Sequence, residues 1–142
     1  VNEKKQAAML NDSVNFGGVV KEKGRVKGEE AKAFIAIIAR KEKLSEYTNT
    51  DVGIAAEAIV LTALEHGIGS CIMGSIQRER IKGILGIPNE FEVSLVIALG
   101  FPKEKPVAEK PKGNDLFYWI DEKERLHVPK RALEEVLHRN RF

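Results

Sequence analysis

The sequence predicts an α+β fold, a sheet domain organised around one buried central helix. Three observations lead there. Phe34-Ile35-Ala36-Ile37-Ile38-Ala39 is an unbroken apolar run rich in β-branched residues, the pattern of a strand buried on both faces. Val52 to Leu64 is apolar almost all round, so a helix there buries more than one side, within a core or at a subunit interface. Glu92 to Leu99 is the clearest strand in the chain. Helical and extended segments follow one another without the regular alternation of a βαβ protein.

The elements between these anchors follow in order. Lys4 to Leu10 has the character of a helix end, and Asn11 to Gly18 is turn-rich through Asn11-Asp12-Ser13 and Gly17-Gly18. Lys21 to Glu30 is highly charged and holds two glycines, which suits an exposed loop. A helix starting at Glu29 competes with the strand reading of the following apolar run, because periodicity does not decide so short a segment. Arg40 to Thr48 is a polar connector. Asn49, Thr50 and Asp51 are each good N-cap residues for the apolar helix, and Gly67 sits where a left-handed C-terminal cap is needed. His66 then faces the negative end of the helix dipole. Ser70 to Met73 reads as short and extended, with a break at Gly74-Ser75. Ile76 to Leu85 reads as an amphipathic helix ended near Gly86. Gly100-Phe101-Pro102 ends the best strand. Lys103 to Gly113, rich in lysine and proline, suggests an extended surface connector. Leu116–Ile120 and Leu126–Val128 pair as a hairpin across residues 121–124. Ala132 to Leu137 has weak helical spacing, or forms an arm lying on another chain.

At 142 residues the chain suits a single domain over 1–142 with a core of ordinary size. A hydrophobic fraction of 43% with 31% charged residues reads as globular rather than disordered. Its 23 basic and 21 acidic residues nearly balance, so neither nucleic acid nor a membrane surface is expected as the main partner. Cys71 is the one cysteine, which excludes an internal disulfide and suits a cytoplasmic protein. No signal peptide is visible and no apolar run is long enough to span a bilayer. The chain opens on Val1 in a charged segment, as a processed, cleaved or trimmed protein would.

The common catalytic signatures are absent: no phosphate-binding glycine loop with Lys-Ser/Thr, no dinucleotide fingerprint and no His-Glu-x-x-His. His66, His127 and His138 lie in different segments, none at metal-ligand spacing from another, so no metal site is expected. Cys71 pairs in principle with a distant histidine as a nucleophile, but inside an apolar segment it reads better as a buried structural thiol. What remains is Asp51 through Gly74: an apolar helix, a glycine-rich turn, then a short strand ending in Ile72-Met73-Gly74.

This segment resembles the FMN-dependent nitroreductase family, whose pattern is a buried interface helix, a glycine-rich turn and a short strand closing in glycine. The continuation resembles it too: a short helix ending Ile84-Leu85-Gly86-Ile87-Pro88, a strand from Val93 to Leu99, and Gly100-Phe101-Pro102. Val128-Pro129-Lys130-Arg131 followed by Leu133-Glu134-Glu135-Val136 resembles the family's closing motif. The similarity runs from about Thr50 to the end. It implies a mixed or antiparallel sheet flanked by helices, and a homodimer with FMN at the interface.

In that reading the strand ending at Ile72, Met73 and Gly74 passes beside the isoalloxazine ring, and its backbone N–H groups donate near N5 and O4. Fixed donors there favour the negative charge of a reduced ring. Gly74 permits close approach, or else simply terminates the strand. Lys130 and Arg131 match the basic motif that reaches the flavin phosphate, or form a solvated basic turn. Glu57, the acid on the apolar helix, approaches the flavin or pairs with a basic residue across the interface. Phe117, Tyr118 and Trp119 wall a substrate pocket or merely pack.

The resemblance further implies hydride transfer from NAD(P)H through the flavin to a small-molecule acceptor such as a nitroaromatic or quinone, with no protein acid or nucleophile required. The sequence departs from the family upstream. The Arg-x-Ser-x-Arg helix that grips the flavin phosphate and an Asn-x-Gln-Pro-Trp-like segment are absent, so the fold is expected to be N-terminally incomplete. A second reading of another class follows: a non-catalytic flavin- or ligand-sensing or dimerisation module on the same fold.

Overall fold

The computed structural model describes residues 1–15, 30–103, 105–111, 113 and 115–141. They fall into two compact units, one reaching Pro102 and the other running from Lys103 onward. The expected loop over residues 21–29 and the turn at Gly17-Gly18 lie outside the described residues.

The first unit opens with α1 (Lys4–Asn11), started by the Glu3 carboxylate, which accepts from the backbone N–H groups of Lys5 and Gln6 at 3.0 and 2.8 Å. β1 (Ala33–Arg40) follows, then a 3-10 turn (Lys41–Lys43), α2 (Thr48–Glu65), β2 (Gly69–Met73), α3 (Arg78–Leu85) and β3 (Phe91–Gly100). The three strands form an antiparallel sheet in the order β1-β3-β2. The longest strand therefore lies in the middle. This settles the apolar run at 34–39 as a strand.

Directly opposed residues of an antiparallel pair share a face. Phe34 opposes Ala98, Ala36 and Met73 both oppose Val96, and Cys71 opposes Ala98. That face meets Ala7 and Leu10 of α1 and Ile81 of α3 in the main core. Each fully buried large side chain there contributes about 1.5–3 kcal/mol. On the other face Ile97 is fully buried, and α2 lies against the sheet with Val52, Ala56 and Ala63 inward.

Two expectations about burial change in the single chain. β1 is an edge strand, and although Phe34 is buried, Ile35 and Ile38 keep 36% and 42% of their surface exposed. α2 buries one stripe only. Ile54, Leu61 and Leu64 are 65%, 55% and 68% exposed, because a lone three-stranded sheet covers a single side of a helix.

The ends of α2 show where capping chemistry was legible. Its N-cap is Tyr47, with no side-chain cap bond, rather than Asn49, Thr50 or Asp51. The helix runs one turn further back because Thr48, Asn49 and Thr50 take helical geometry; the Thr48 hydroxyl accepts from Ser45 N–H at 2.8 Å instead. The C-terminal end follows expectation. Gly67 is left-handed at φ 69°, its N–H reaches Leu64 O, and Ile68 N–H reaches Ala63 O, both at 2.9 Å, which together make a Schellman motif. Gly86 closes α3 in the same left-handed conformation at φ 63°, with its own N–H and that of Ile87 both reaching Lys82 O.

The second unit holds β4 (Val107–Glu109), β5 (Trp119–Ile120), β6 (Leu126–Pro129) and the single turn α4 (Leu133–Val136). β5 and β6 form the expected hairpin, with Trp119 opposite His127 and Ile120 opposite Leu126. The Lys103–Gly113 segment is not merely a connector. Val107 to Glu109 pairs in parallel with β6, because its alternating Val-Ala-Glu can extend that strand's free edge.

Candidate functional site

Ile72, Met73 and Gly74 lie at the open end of β2, an edge strand of the first unit. The three residues differ in role. Met73 points into the core and is 4% exposed. Ile72 points to the other face and is 46% exposed. Gly74 follows the last paired residue and is exposed. Among the described residues, a Cβ built on Gly74 would find only Leu95 Cδ2 within 4 Å, at 3.8 Å, an ordinary contact. Its φ lies outside the left-handed region. Neither backbone strain nor packing among the described residues therefore requires glycine there. Gly69, at the other end of β2, contrasts with it: a Cβ there would sit 3.3 Å from Gly100 O and 3.4 Å from Pro102.

The turn after β2 is held on both sides. Asn15 N–H donates to Ser75 O at 2.9 Å, and Gln77 N–H to Ser13 O at 2.8 Å, closing the Val14–Ile76 bridge. From the sheet side the Arg78 guanidinium reaches Val93 O at 3.0 Å, and Gly74 O and Ser94 O at 3.4 Å.

Cys71 is exposed on β2 rather than buried, because the core beneath that face takes in Met73 and Ala98 and stops short of Cys71. Partial desolvation still pushes its thiol pKa up, the direction opposite to an activated nucleophile. Glu57 is also exposed. It falls at helical spacing between Ile54, Leu61 and Leu64, within the uncovered apolar stripe of α2.

Lys130 and Arg131 belong to the second unit, just past β6, and both are exposed. Lys130 N–H donates to Glu109 O at 2.8 Å, which ties the turn to β4. Of the three aromatic residues, Phe117 is 81% exposed and Tyr118 half-buried. Trp119 packs: its ring stacks on His127 with centroids 4.1 Å apart, and Nε1 donates to Glu109 Oε1 at 2.7 Å.

His127 is the centre of a network that linear spacing did not show. Its Nδ1 lies 2.9 Å from Glu109 Oε2 and its Nε2 3.3 Å from Asp121 Oδ2. Asp121 also accepts from the Arg125 backbone N–H at 2.8 Å and from Arg125 Nε at 2.8 Å. These bonds, the Arg125 backbone N–H foremost, hold the Asp121 carboxyl well below the usual carboxylate range. Half of the network was within reach of the sequence, because the expected hairpin sets Trp119 against His127. Glu109 was not, because only the parallel pairing of β4 brings it in. An open depression of about 460 Å³ is lined by Glu79, Lys82, Gly83 and the turn 86–89, and none of the candidate site residues named from the sequence borders it. Among the described residues, no group of three or more His, Cys, Asp or Glu is arranged to hold a metal ion.

The first unit thus defines an α+β protein with helices on both faces of an antiparallel sheet and a bare backbone corner at its edge. Residues 3–101 match the Nitroreductase family, and the chain belongs to that family. The match begins well before Thr50, where the sequence resemblance started, and stops short of the basic turn at 130–131. An Archaeoglobus fulgidus protein named as an NADH dehydrogenase/NAD(P)H nitroreductase is 30% identical over 113 residues, 74% of this chain and 60% of that protein. Bacillus subtilis MhqN, named as an NAD(P)H nitroreductase, is 35% identical over 63 residues, 44% of this chain and 30% of its own length. The chain therefore spans less than two thirds of either relative. The solved FMN-dependent nitroreductase of Clostridium difficile R20291 shares the fold, with a TM-score of 0.64 at 24% identity, over all of this chain and 73% of that one.

Proposed function

We propose that this chain serves an FMN-dependent oxidoreductase that takes hydride from NAD(P)H and reduces a small acceptor such as a nitroaromatic or quinone. The observation that carries the reading is Gly74. A glycine that no packing among the described residues requires, at the open end of an edge strand beside an exposed Ile72, leaves a flat backbone surface for a planar ring. The residues present therefore fit a flavin edge. Bound there, FMN would supply the two-electron redox chemistry.

The chain's own part is to bind and orient. Those backbone N–H groups between Ile72 and Gly74 that do not bond to β3 would donate toward the ring, and fixed donors cost no reorganisation when negative charge develops. Ile72 offers apolar contact. Lys130 and Arg131 are exposed cations suited to a phosphate. The names of the relatives support a nicotinamide reductant, and the named FMN dependence of the Clostridium difficile protein supports the flavin.

A homodimer belongs to the same proposal. The stripe Ile54, Leu61 and Leu64 on α2 is too apolar to favour water, and Glu57 within it would meet a partner's cation. So do a single domain over 1–142 and a cytoplasmic setting; no helix among the described residues is long and apolar enough to cross a membrane. The second reading, a flavin- or ligand-sensing or dimerisation module without turnover, is favoured only if binding and catalysis separate. Titration with FMN alongside an NAD(P)H oxidation assay decides. Binding with turnover supports the oxidoreductase, binding without turnover the sensor, and absence of FMN binding refutes both flavin readings.

A further inference from the structure

β3 carries a bulge. Ile37 pairs with Leu95 and Ile38 with Val93, which leaves Ser94 as the extra residue. The bulge lies beyond the end of β2, whose last pair is Met73 with Val96. On that side β3 has no strand to satisfy its carbonyls. The Arg78 guanidinium fills the place, donating to Val93 O and Ser94 O, and the same nitrogen that reaches Ser94 reaches Gly74 O.

We infer that Arg78 is the positioning residue of the flavin edge; the inference rests on the flavin reading of Gly74. Peptide bonds in the described chain are trans, so the Gly74 carbonyl and the Ser75 N–H point in opposite directions. Holding the carbonyl against β3 turns the Ser75 N–H away from the sheet. The turn's other face is fixed by Asn15 and Ser13. Arg78 thereby sets the plane of the peptide that the ring would meet. A planar fork with several donors can serve three carbonyls at once, whereas a lysine ammonium is a point charge on a flexible stem. Arg80 lies on the same helix and is also exposed, and its hydrogen bond among the described residues goes to Asp12 O at 3.4 Å rather than to Gly74 O or β3, so it is the natural control.

The test compares wild type with Arg78→Ala, Arg78→Lys and Arg80→Ala. FMN affinity is read from quenching of flavin fluorescence, ring environment from the visible flavin bands and the midpoint potential, and folding from thermal melts. Arg78→Ala should weaken FMN binding about tenfold, the factor of one well-placed hydrogen bond, shift the bands and lower the potential. Arg78→Lys should fail to restore them, while Arg80→Ala should match wild type in all three. FMN affinity and spectrum of Arg78→Ala unchanged from wild type, or an equal loss in Arg80→Ala, would overturn the inference. Should Arg78→Ala not fold, Arg78→Lys carries the test, and wild-type affinity and spectrum in that variant overturn it. A wild-type protein that takes up no FMN refutes the flavin reading itself, a result distinct from wild-type binding that Arg78 does not influence.

Discussion

Replacing Gly74 with alanine separates what the fold needs from what a bound ring needs. Among the described residues the new methyl meets only Leu95 Cδ2 at 3.8 Å, and the backbone is not left-handed. Folding stability should hold or rise by about 0.4–1 kcal/mol, since alanine narrows the unfolded ensemble. The methyl projects about 1.5 Å from Cα. A ring resting on that backbone would have to withdraw by roughly 1 Å, and a 2.9 Å hydrogen bond stretched that far ceases to be one. Losing one or two such bonds, at about 0.5–1.5 kcal/mol each, predicts FMN binding weaker by roughly 2- to 150-fold. Fluorescence titration with FMN and a thermal melt on the same sample give both numbers. Alanine binding FMN as tightly as glycine would refute the reasoning, as would a variant that melts several degrees lower, because then the glycine serves the fold.

Other predictions follow from features of each unit. Leu61→Glu should leave the helical signal and melting of the subunit within about 0.5 kcal/mol of wild type, because the side chain faces outward, yet shift sedimentation from dimer to monomer. Gly67→Ala should cost about 1 kcal/mol in urea denaturation, since φ 69° opposes a β-carbon at the Schellman position. Asp121 has a folded pKa below its unfolded value of about 3.9, so its contribution is present above that value and is lost as pH falls through the acid range. Asp121→Asn should therefore flatten the acid limb of a melting-temperature profile between about pH 4 and 2; an unchanged limb would show the network to be dispensable.

How much of this was legible depends on whether the cause was local. Gly67 and Gly86 announce helix ends because only glycine takes their φ cheaply, and the hairpin at 119–128 follows from two apolar segments around a charged turn. β3 was readable because a central strand is apolar on both faces. The start of α2 was not, since three good capping residues in a row gave propensity no means to choose, and the helix began before all of them. The burial of β1 was misjudged, and that of α2 stayed open between core and subunit interface, for a different reason. Sequence records that a surface avoids water, and does not record whether the chain's own sheet or another molecule covers it. That same ambiguity is informative at α2: a stripe apolar in sequence and uncovered in the folded chain, with one acid in it, is what the proposed homodimer would need.

Arg78 marks where local reasoning ends. Nothing in Ser75-Ile76-Gln77-Arg78 separates it from the exposed Arg80 two residues on. Its role arises because β3 bulges at Ser94, β2 stops at Met73, and the carbonyls left over face one guanidinium. The bulge depends on pairing across some 55 residues of chain, from Ile38 to Val93, which no window of sequence contains. If the bulge is what recruits Arg78, then restoring regular pairing by deleting Ser94 should release the guanidinium and lower FMN affinity even with Arg78 present. Undiminished FMN binding in that deletion, in a protein that still melts cooperatively, would break the chain of causes from bulge to arginine to glycine.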